Sequence, residues 1–555
     1  MKDFIPTENY IETDVLILGS GAAGCGAALA ARQEGVRVSL VDKGKLESSG
    51  CLGGGNDHFL AVLDSSEPFD REEDLIRFFN KPLSGFTESM ISRWFQSMPI
   101  LVEYLLSVGV EFVRKEGGGW LRTDGFGQPG AWWINIENGQ LIKRRIAKDI
   151  RSRGVDVFDH IMITRLLVEQ DHIAGALGFH VLTGDMYIFK AGSVVMAMGN
   201  GANRATTNSS GNPYNTWHSP FNTGAQIVLA YEAGVRIINL DMMQQATLIP
   251  KGFGSAGMHG ISCVGAHEID AAGTRFMGNY HPKMENGPRR NVILGTFQEI
   301  LKGNGPPFYM DMRPCDAEEV EHLQTVLMPG DKATFTDYRL QAGIDFLRDP
   351  MEVEISELEL GGMLLTNEDL STNITDLYNG CVFYSFSGSM CSGYLAGIEA
   401  AEAARGGTLS NQTFEETIQA ERESIFRPFL SKGDMNYRDF EKAIQQVMNY
   451  YMKFVRNQQG MELTLKKLAL IEQHIEEISA TNLHELTRIK ESLILLEMCR
   501  LSTFASLQRR ESGRTFYNRS DFPEPDPAFD RTLCLFKSKD GIGTEWLADR
   551  NGRAA

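Results

Sequence analysis

Thr13-Asp14-Val15-Leu16-Ile17-Leu18-Gly19-Ser20-Gly21-Ala22-Ala23-Gly24 opens the stretch whose reading decides the fold, and that stretch closes at Val41-Asp42-Lys43. Asp14–Leu18 is an apolar run of strand length. The glycine turn follows at once, and an alanine-rich helical segment then runs to Arg32. A second apolar run, Val36–Val41, ends at Asp42. Strand, glycine turn, helix, strand and acid within about thirty residues form a dinucleotide-binding unit. Gly19 permits the tight turn, Gly21 lets a diphosphate approach the backbone, and Gly24 lets helix and strand pack closely. The helix start at Ala22-Ala23 offers N–H groups and a positive dipole end to the phosphates. Asp42, eighteen residues past Gly24, is placed to accept hydrogen bonds from a ribose, with Lys43 beside it.

Working outward, Ser48–His58 is polar and rich in glycine. Three consecutive glycines, Gly53-Gly54-Gly55, leave backbone amides free to face a ligand. Its place straight after Asp42 makes Ser49, Gly50, Gly54, Gly55 and Asn56 a candidate wall of the cofactor site, a plain surface loop being the alternative. Helices are expected at Thr87–Ser97 and Ile100–Gly109, parted at Pro99, and at Gln140–Gly154. Strands are expected at Val155–Val168 and Ile173–Gly184. Ser193–Gly201 is a further buried strand ending in a glycine turn, which brings Ala197 and Gly199 to the cofactor. The pattern changes after Asn239: residues 242–284 are rich in Met, Gly and His with little helical periodicity, as in an inserted domain. A helix follows at Asn291–Lys302. Gly361-Gly362 and Gly380–Phe386 return to the first domain. Thr413-Phe414-Glu415-Glu416 has capping-box spacing, residues 413–510 read as almost wholly helical, and the proline-bearing tail reads as an extended wrap.

The 555 residues suffice for three or four domains, and the 42% apolar and 23% charged fractions are those of a globular enzyme. A formal charge of −18 argues against nucleic acid or an anionic membrane as the main partner. No apolar run reaches spanning length and no signal core is seen, so the expected location is cytoplasmic, without membrane insertion. Eight scattered cysteines with no C-x₂-C pair give no expected metal or iron–sulfur site.

The chain resembles the succinate dehydrogenase and fumarate reductase flavoprotein family, and within it the alpha subunits of adenylylsulfate reductase. Beyond the N-terminal fingerprint, the resemblance rests on Ser210-Gly211 through Gly224 with Trp217, on Gly273–Met277, and on Arg290-Asn291 leading to Gln298-Glu299-Ile300. It rests too on Phe386-Ser387-Gly388-Ser389 and on Glu511-Ser512 through Asp521-Phe522-Pro523. It implies an α/β fold: a Rossmann-like FAD-binding domain at 1–240 and 358–410, an α+β capping domain at 241–357, and a C-terminal helical domain with an extended tail at 411–555. It implies FAD, hydride chemistry at flavin N5, Gly388 and Ser389 at the cofactor, and a ferredoxin-like iron–sulfur partner subunit. The FAD is expected to be non-covalent, because no histidine occurs between Asp42 and Asn56.

Departures from the family narrow the substrate. The positions of the dicarboxylate enzymes' first histidine, Thr-Glu pair and second histidine fall on Ala246, Met258-His259 and Glu357, and no second carboxylate-binding arginine occurs near Ser387–Gly393. The adenylylsulfate reductase pocket arginine is replaced within Thr247–Ile249, and its acidic residue is missing from Cys381–Phe386. A relative with a changed pocket for a small anionic substrate is the expectation. Arg289 and Arg290 stand at a helix start, where arginine opposes the dipole. They are therefore candidates for binding an anion, with ion pairing to Glu285 or the Asp270 region as the alternative. His259 is a candidate proton carrier and Trp217 a stacking partner; His218 and His267 are weaker candidates. Two further readings stay open: a self-contained flavoenzyme acting on a C=C bond in an organic acid or thioester, and a non-catalytic flavin-binding subunit.

Overall fold

The computed structural model describes residues 6–550 apart from Trp217, Met243, 254–260, Cys263, Lys332 and Thr408. Its central sheet grows from the decisive stretch. The strand Glu8–Leu18 pairs in parallel with Val38–Val41, with Val15 opposite Val38 and Leu18 opposite Val41. Val38–Val41 pairs with Asp156–Phe158 on its outer side. On the other side Glu8–Leu18 pairs with Met186–Met196. The antiparallel strands His172–His180 and Ile161–Glu169 extend the sheet from there, and Leu377–Asn379 adds to Met186–Met196 in parallel. Val15–Leu18 are completely buried, as expected of a strand covered on both faces.

The helix Ala22–Gln33 lies against the helix Ser385–Gly406 in near backbone contact. A Cβ on Gly393 would stand 1.9 Å from the Ala23 carbonyl oxygen, and one on Gly26 2.2 Å from that of Met390. Small residues on both helices are what allow this approach. A second sheet comprises Gly201–Ala202, Gln244–Pro250, His267–Ile269, Phe308–Asp311 and Met351–Gly361. It has a separate apolar core that includes Ile261, Phe276, Ile293, Phe308 and Phe346. The helix Arg289–Lys302 packs on this sheet.

Three local expectations change. Residues 88–107 form one helix, Glu88–Ser107, with Pro99 inside it. Met98, Leu101 and Val102 continue the buried face through the proline, and that packing outweighs the proline's cost of about 3 kcal/mol. The Thr413 capping box does not form: the helix Glu415–Phe426 begins at Phe414 with φ 55° and no side-chain cap. The tail is not wholly an extended wrap, because Thr532–Ser538 and Gly541–Leu547 make a hairpin paired to Ile237–Ile238. The helices Tyr437–Tyr451, Gln458–Glu472 and Leu483–Gln508 account for most of the C-terminal segment. No helix among the described residues is long and apolar enough to cross a membrane.

Candidate functional site

The glycine turn is built for backbone alone. Gly19 holds φ 97°, and a Cβ there would lie 2.5 Å from the Ala197 carbonyl oxygen. A Cβ on Gly24 would lie 1.8 Å from the Gly19 carbonyl oxygen. The loop after Asp42 closes over the turn: Gly50, with φ 73°, would place a Cβ 2.7 Å from the Cα of Gly21. The helix Ala22–Gln33 starts with no side-chain cap and no acid in its first turn, so its N-terminal amides and dipole face outward unscreened. The helix Ser385–Gly406 likewise has no acid in its first turn; there the Gly388 amide donates to the Ser385 hydroxyl at 3.3 Å, and Ser389 follows.

Asp42 and Lys43 are more occupied than the sequence implied. One Asp42 oxygen accepts from the Ser20 amide (2.7 Å) and hydroxyl (2.9 Å); the other accepts from the Gly44 amide and the Ser49 hydroxyl, both at 2.7 Å. Asp42 thus ties the turn to the loop that follows it, and Ser49 belongs to that lock. The Lys43 ammonium points away from the turn, to the Phe221 carbonyl (2.7 Å) and to Glu491 of the C-terminal helices. The Asn56 side chain accepts the His58 amide at 3.0 Å. Gly54 and Gly55 end a short 3₁₀ turn, Cys51–Gly54, with Gly55 at φ 103°. Gly199 (φ 84°) follows the strand Met186–Met196, and the Ala197 amide donates to the Leu18 carbonyl at 2.7 Å.

Arg289 and Arg290 open the helix Arg289–Lys302, which begins without a side-chain cap. The Arg289 guanidinium lies 4.5 Å from the centre of the Phe126 ring. Burial pushes its pKa down to about 10, against an opposing pull from Glu359. Arg290 is half-buried, and its Nε is buried with no hydrogen-bond partner among the described residues. Among the described residues its other nitrogens reach only the Asn518 side chain, at 3.4 Å. No carboxylate among the described residues forms an ion pair with Arg290, and burial lowers its pKa too. The alternative partners are spoken for: Glu285 is held by Arg275 at 2.6 and 3.0 Å, and Asp270 caps the amides of Ala272 and Thr274. The glycine-rich segment before Trp132 packs on this helix start, a Cβ on Gly127 falling 2.7 Å from the Pro288 ring.

Sequence reasoning missed three neighbours. Glu359, on the strand Met351–Gly361, faces the His218 ring with Oε2 3.2 Å from Nδ1. Its charge also acts on Arg289 and Tyr384, and with burial, the larger cause, it pushes the Tyr384 phenol well up. Phe126 lies among glycines, and Tyr384 lies in the Gly380–Phe386 stretch; neither stands out in the sequence. Trp217 and His259 lie outside the described residues. His267 is on the second sheet, where burial, with Arg275 adding to it, lowers its pKa. Among the described residues no cluster of His, Cys, Asp or Glu could hold a metal ion.

The family described as "FAD binding domain" matches residues 14–428, and the one described as "Fumarate reductase flavoprotein C-term" matches residues 441–546. The chain belongs to the FAD-binding flavoprotein family. It is an FAD-dependent oxidoreductase of the fumarate reductase and adenylylsulfate reductase kind. It is 25% identical to one of the subunits of fumarate reductase (CoM/CoB) from Methanothermobacter marburgensis, the match covering 94% of this chain and 97% of that one. It is 26% identical to the alpha chain of adenylylsulfate reductase from Megalodesulfovibrio gigas, over 60% of this chain and 54% of that one. In fold it is similar to adenylylsulfate reductase from Archaeoglobus fulgidus, with a TM-score of 0.85 at 21% identity over 98% of this chain and 96% of that chain. The residues present fit FAD: a cradle from which glycines exclude side chains, an uncapped helix start for the diphosphate, and a second helix start with no acid in its first turn.

Proposed function

We propose that this flavoprotein exchanges a hydride with a small anionic substrate bound at Arg289 and Arg290, and passes electrons on to an iron–sulfur partner protein. Bound FAD supplies hydride exchange at N5. In this reading FAD is held without a covalent link by Gly19, Gly21, Ala22, Ala23 and Gly24, by Asp42 and Ser49 through the loop they lock, by Lys43 beside it, by Gly50, Gly54, Gly55 and Asn56, and by Ala197, Gly199, Gly388 and Ser389.

The observation that carries the proposal is Arg290. A half-buried guanidinium with no carboxylate partner among the described residues, its Nε lacking a hydrogen bond to any of them, is costly unless an anion completes it. Arg289 stands next to it, braced on Phe126. One arginine clamps the anion while the other stabilises charge that develops during transfer. Trp217 and His259 keep the proposed roles of stacking partner and proton carrier. The relatives' names support a partner chain, since each designates one component of a larger enzyme.

A second reading, reduction or formation of a C=C bond in an organic acid or thioester, is favoured by one comparison. The fumarate reductase relative matches along 97% of its length and the adenylylsulfate reductase relative along 54%. The test is a thermal-shift and flavin-reoxidation screen of the reduced holoprotein against adenylylsulfate, enoates and acyl-CoAs. An anion that both raises the melting temperature and reoxidises the flavin is the expected result, and its identity decides between the two readings. Reoxidation by none of these anions overturns both.

A further inference from the structure

Lys143, on the helix Ile142–Ser152, is 1% exposed. Its ammonium donates to the Ser20 carbonyl oxygen, inside the glycine turn, and lies 3.1 Å from the Cys25 sulfur. It makes no ion pair among the described residues. Glu47, the carboxylate on which its field acts, is held by Arg151 at 2.9 Å. A buried ammonium without a carboxylate in contact is among the most expensive groups a fold can hold.

Its position says what completes it. The Ser20–Gly21 peptide presents its carbonyl to Lys143, and the Gly21 N–H leaves from the opposite side of the same peptide plane. The Ser20 amide is meanwhile held by Asp42 at 2.7 Å. Lys143 and Asp42 therefore grip the turn from behind, and a charge-assisted bond at the carbonyl polarises the N–H groups that face a ligand. Counting charge at the turn, an incoming diphosphate of about −2 would meet the −1 of Asp42 with only the helix end, about +0.5, in its favour. Lys143 reverses that imbalance. It does so from within the protein, where salt screens it little.

We propose that Lys143 is a positioning and charge-balancing residue for the FAD diphosphate: it sets how tightly the flavin is held without touching it. The experiment follows FAD release from the diluted holoprotein by flavin fluorescence, for wild type, Lys143→Met and Lys143→Gln, with Cys25→Ser as a control that removes only the thiol contact. Release is expected to be ten- to a hundredfold faster in both Lys143 variants and within twofold of wild type in Cys25→Ser. Melting in saturating FAD should return the Lys143 variants to within a few degrees of wild type, because a loss confined to binding is recovered by mass action. Wild-type release rates in both variants overturn the proposal. So does a melting deficit that saturating FAD leaves unchanged, since that marks a purely structural lysine. Should the methionine variant fail to fold, the glutamine variant, which keeps a donor for Ser20 and loses the charge, decides alone.

Discussion

Glu268 shows how far one side chain can stray from its ordinary chemistry. It is completely buried; among the described residues it accepts one bond, from the Thr296 hydroxyl at 2.6 Å, and its other oxygen has no partner. Burial pushes its pKa up to about 8, the Thr296 bond opposing and the neighbouring Glu285 adding to the rise. The carboxyl is therefore protonated in the folded protein at neutral pH. Because the folded pKa is raised, its contribution to stability is complete below pH 4.5 and is lost as pH climbs to about 8. Each pH unit in that window removes at most about 1.4 kcal/mol. Chemical denaturation of wild type and Glu268→Gln across pH 5 to 8 checks this. The variant, which cannot ionise, should lack this part of the decline, and parallel curves would show that Glu268 does not titrate there. None of this was legible beforehand, because Glu268 sits in a segment that showed no periodicity. The arginine pair was legible, because two cations at a helix start violate a local rule. Asp42 was legible as an acid at the right distance from the turn, but not as the acceptor of four protein hydrogen bonds, which depends on how the loop at Ser49 folds back.

At the scale of elements, the first helix and the Ser385–Gly406 helix form one unit. Gly26, Gly393 and Gly397 bring the backbones together, a Cβ on Gly397 lying 2.5 Å from the Ala27 carbonyl oxygen. Gly393→Ala must force the helices apart, at about 1–3 kcal/mol. Ala23 lies in the first turn of the helix Ala22–Gln33, so the displacement reaches the diphosphate-binding turn. The expected result is a lower melting temperature together with looser flavin, while Gly406→Ala, with open space around it, changes neither. Equal melting of the two variants would remove the packing argument. The first of these helices was readable from the glycine turn that precedes it. Its partnership with a helix some 360 residues away was not, since small residues mark a close approach without naming the partner. The single Glu88–Ser107 helix was misread for a related reason: a proline is a local signal, and the buried face that overrides it becomes visible only in three dimensions. Thr532–Phe536 was passed over because a short apolar run among prolines becomes a strand only when Ile237–Ile238 is there to pair with it.

Across the whole molecule, the nucleotide end of the first sheet is joined to the C-terminal helices by buried charge. Arg204, fully buried, grips Glu441 through two bonds of 2.8 and 2.9 Å and Glu491 through one of 2.8 Å, and Lys43 and Arg488 add to Glu491. Burial alone would raise the Glu491 pKa; the three cations together outweigh it and hold it down at about 2. No sequence pattern links positions 43, 204, 441 and 491; of the four, Lys43 alone is part of the stretch that the glycine turn makes readable. The proposed pocket is composite in the same way: Arg290 comes from the second sheet's helix, and Asn518 from the C-terminal segment. The central claim is that this arginine serves an anionic substrate, and transient kinetics test it most directly. Reduced holoprotein is mixed with the acceptor found by screening, and flavin reoxidation is followed for wild type and Arg290→Ala. The account predicts a rate lower by about 10²–10³ in the variant, with an unchanged flavin spectrum. Reoxidation of Arg290→Ala at the wild-type rate would contradict it.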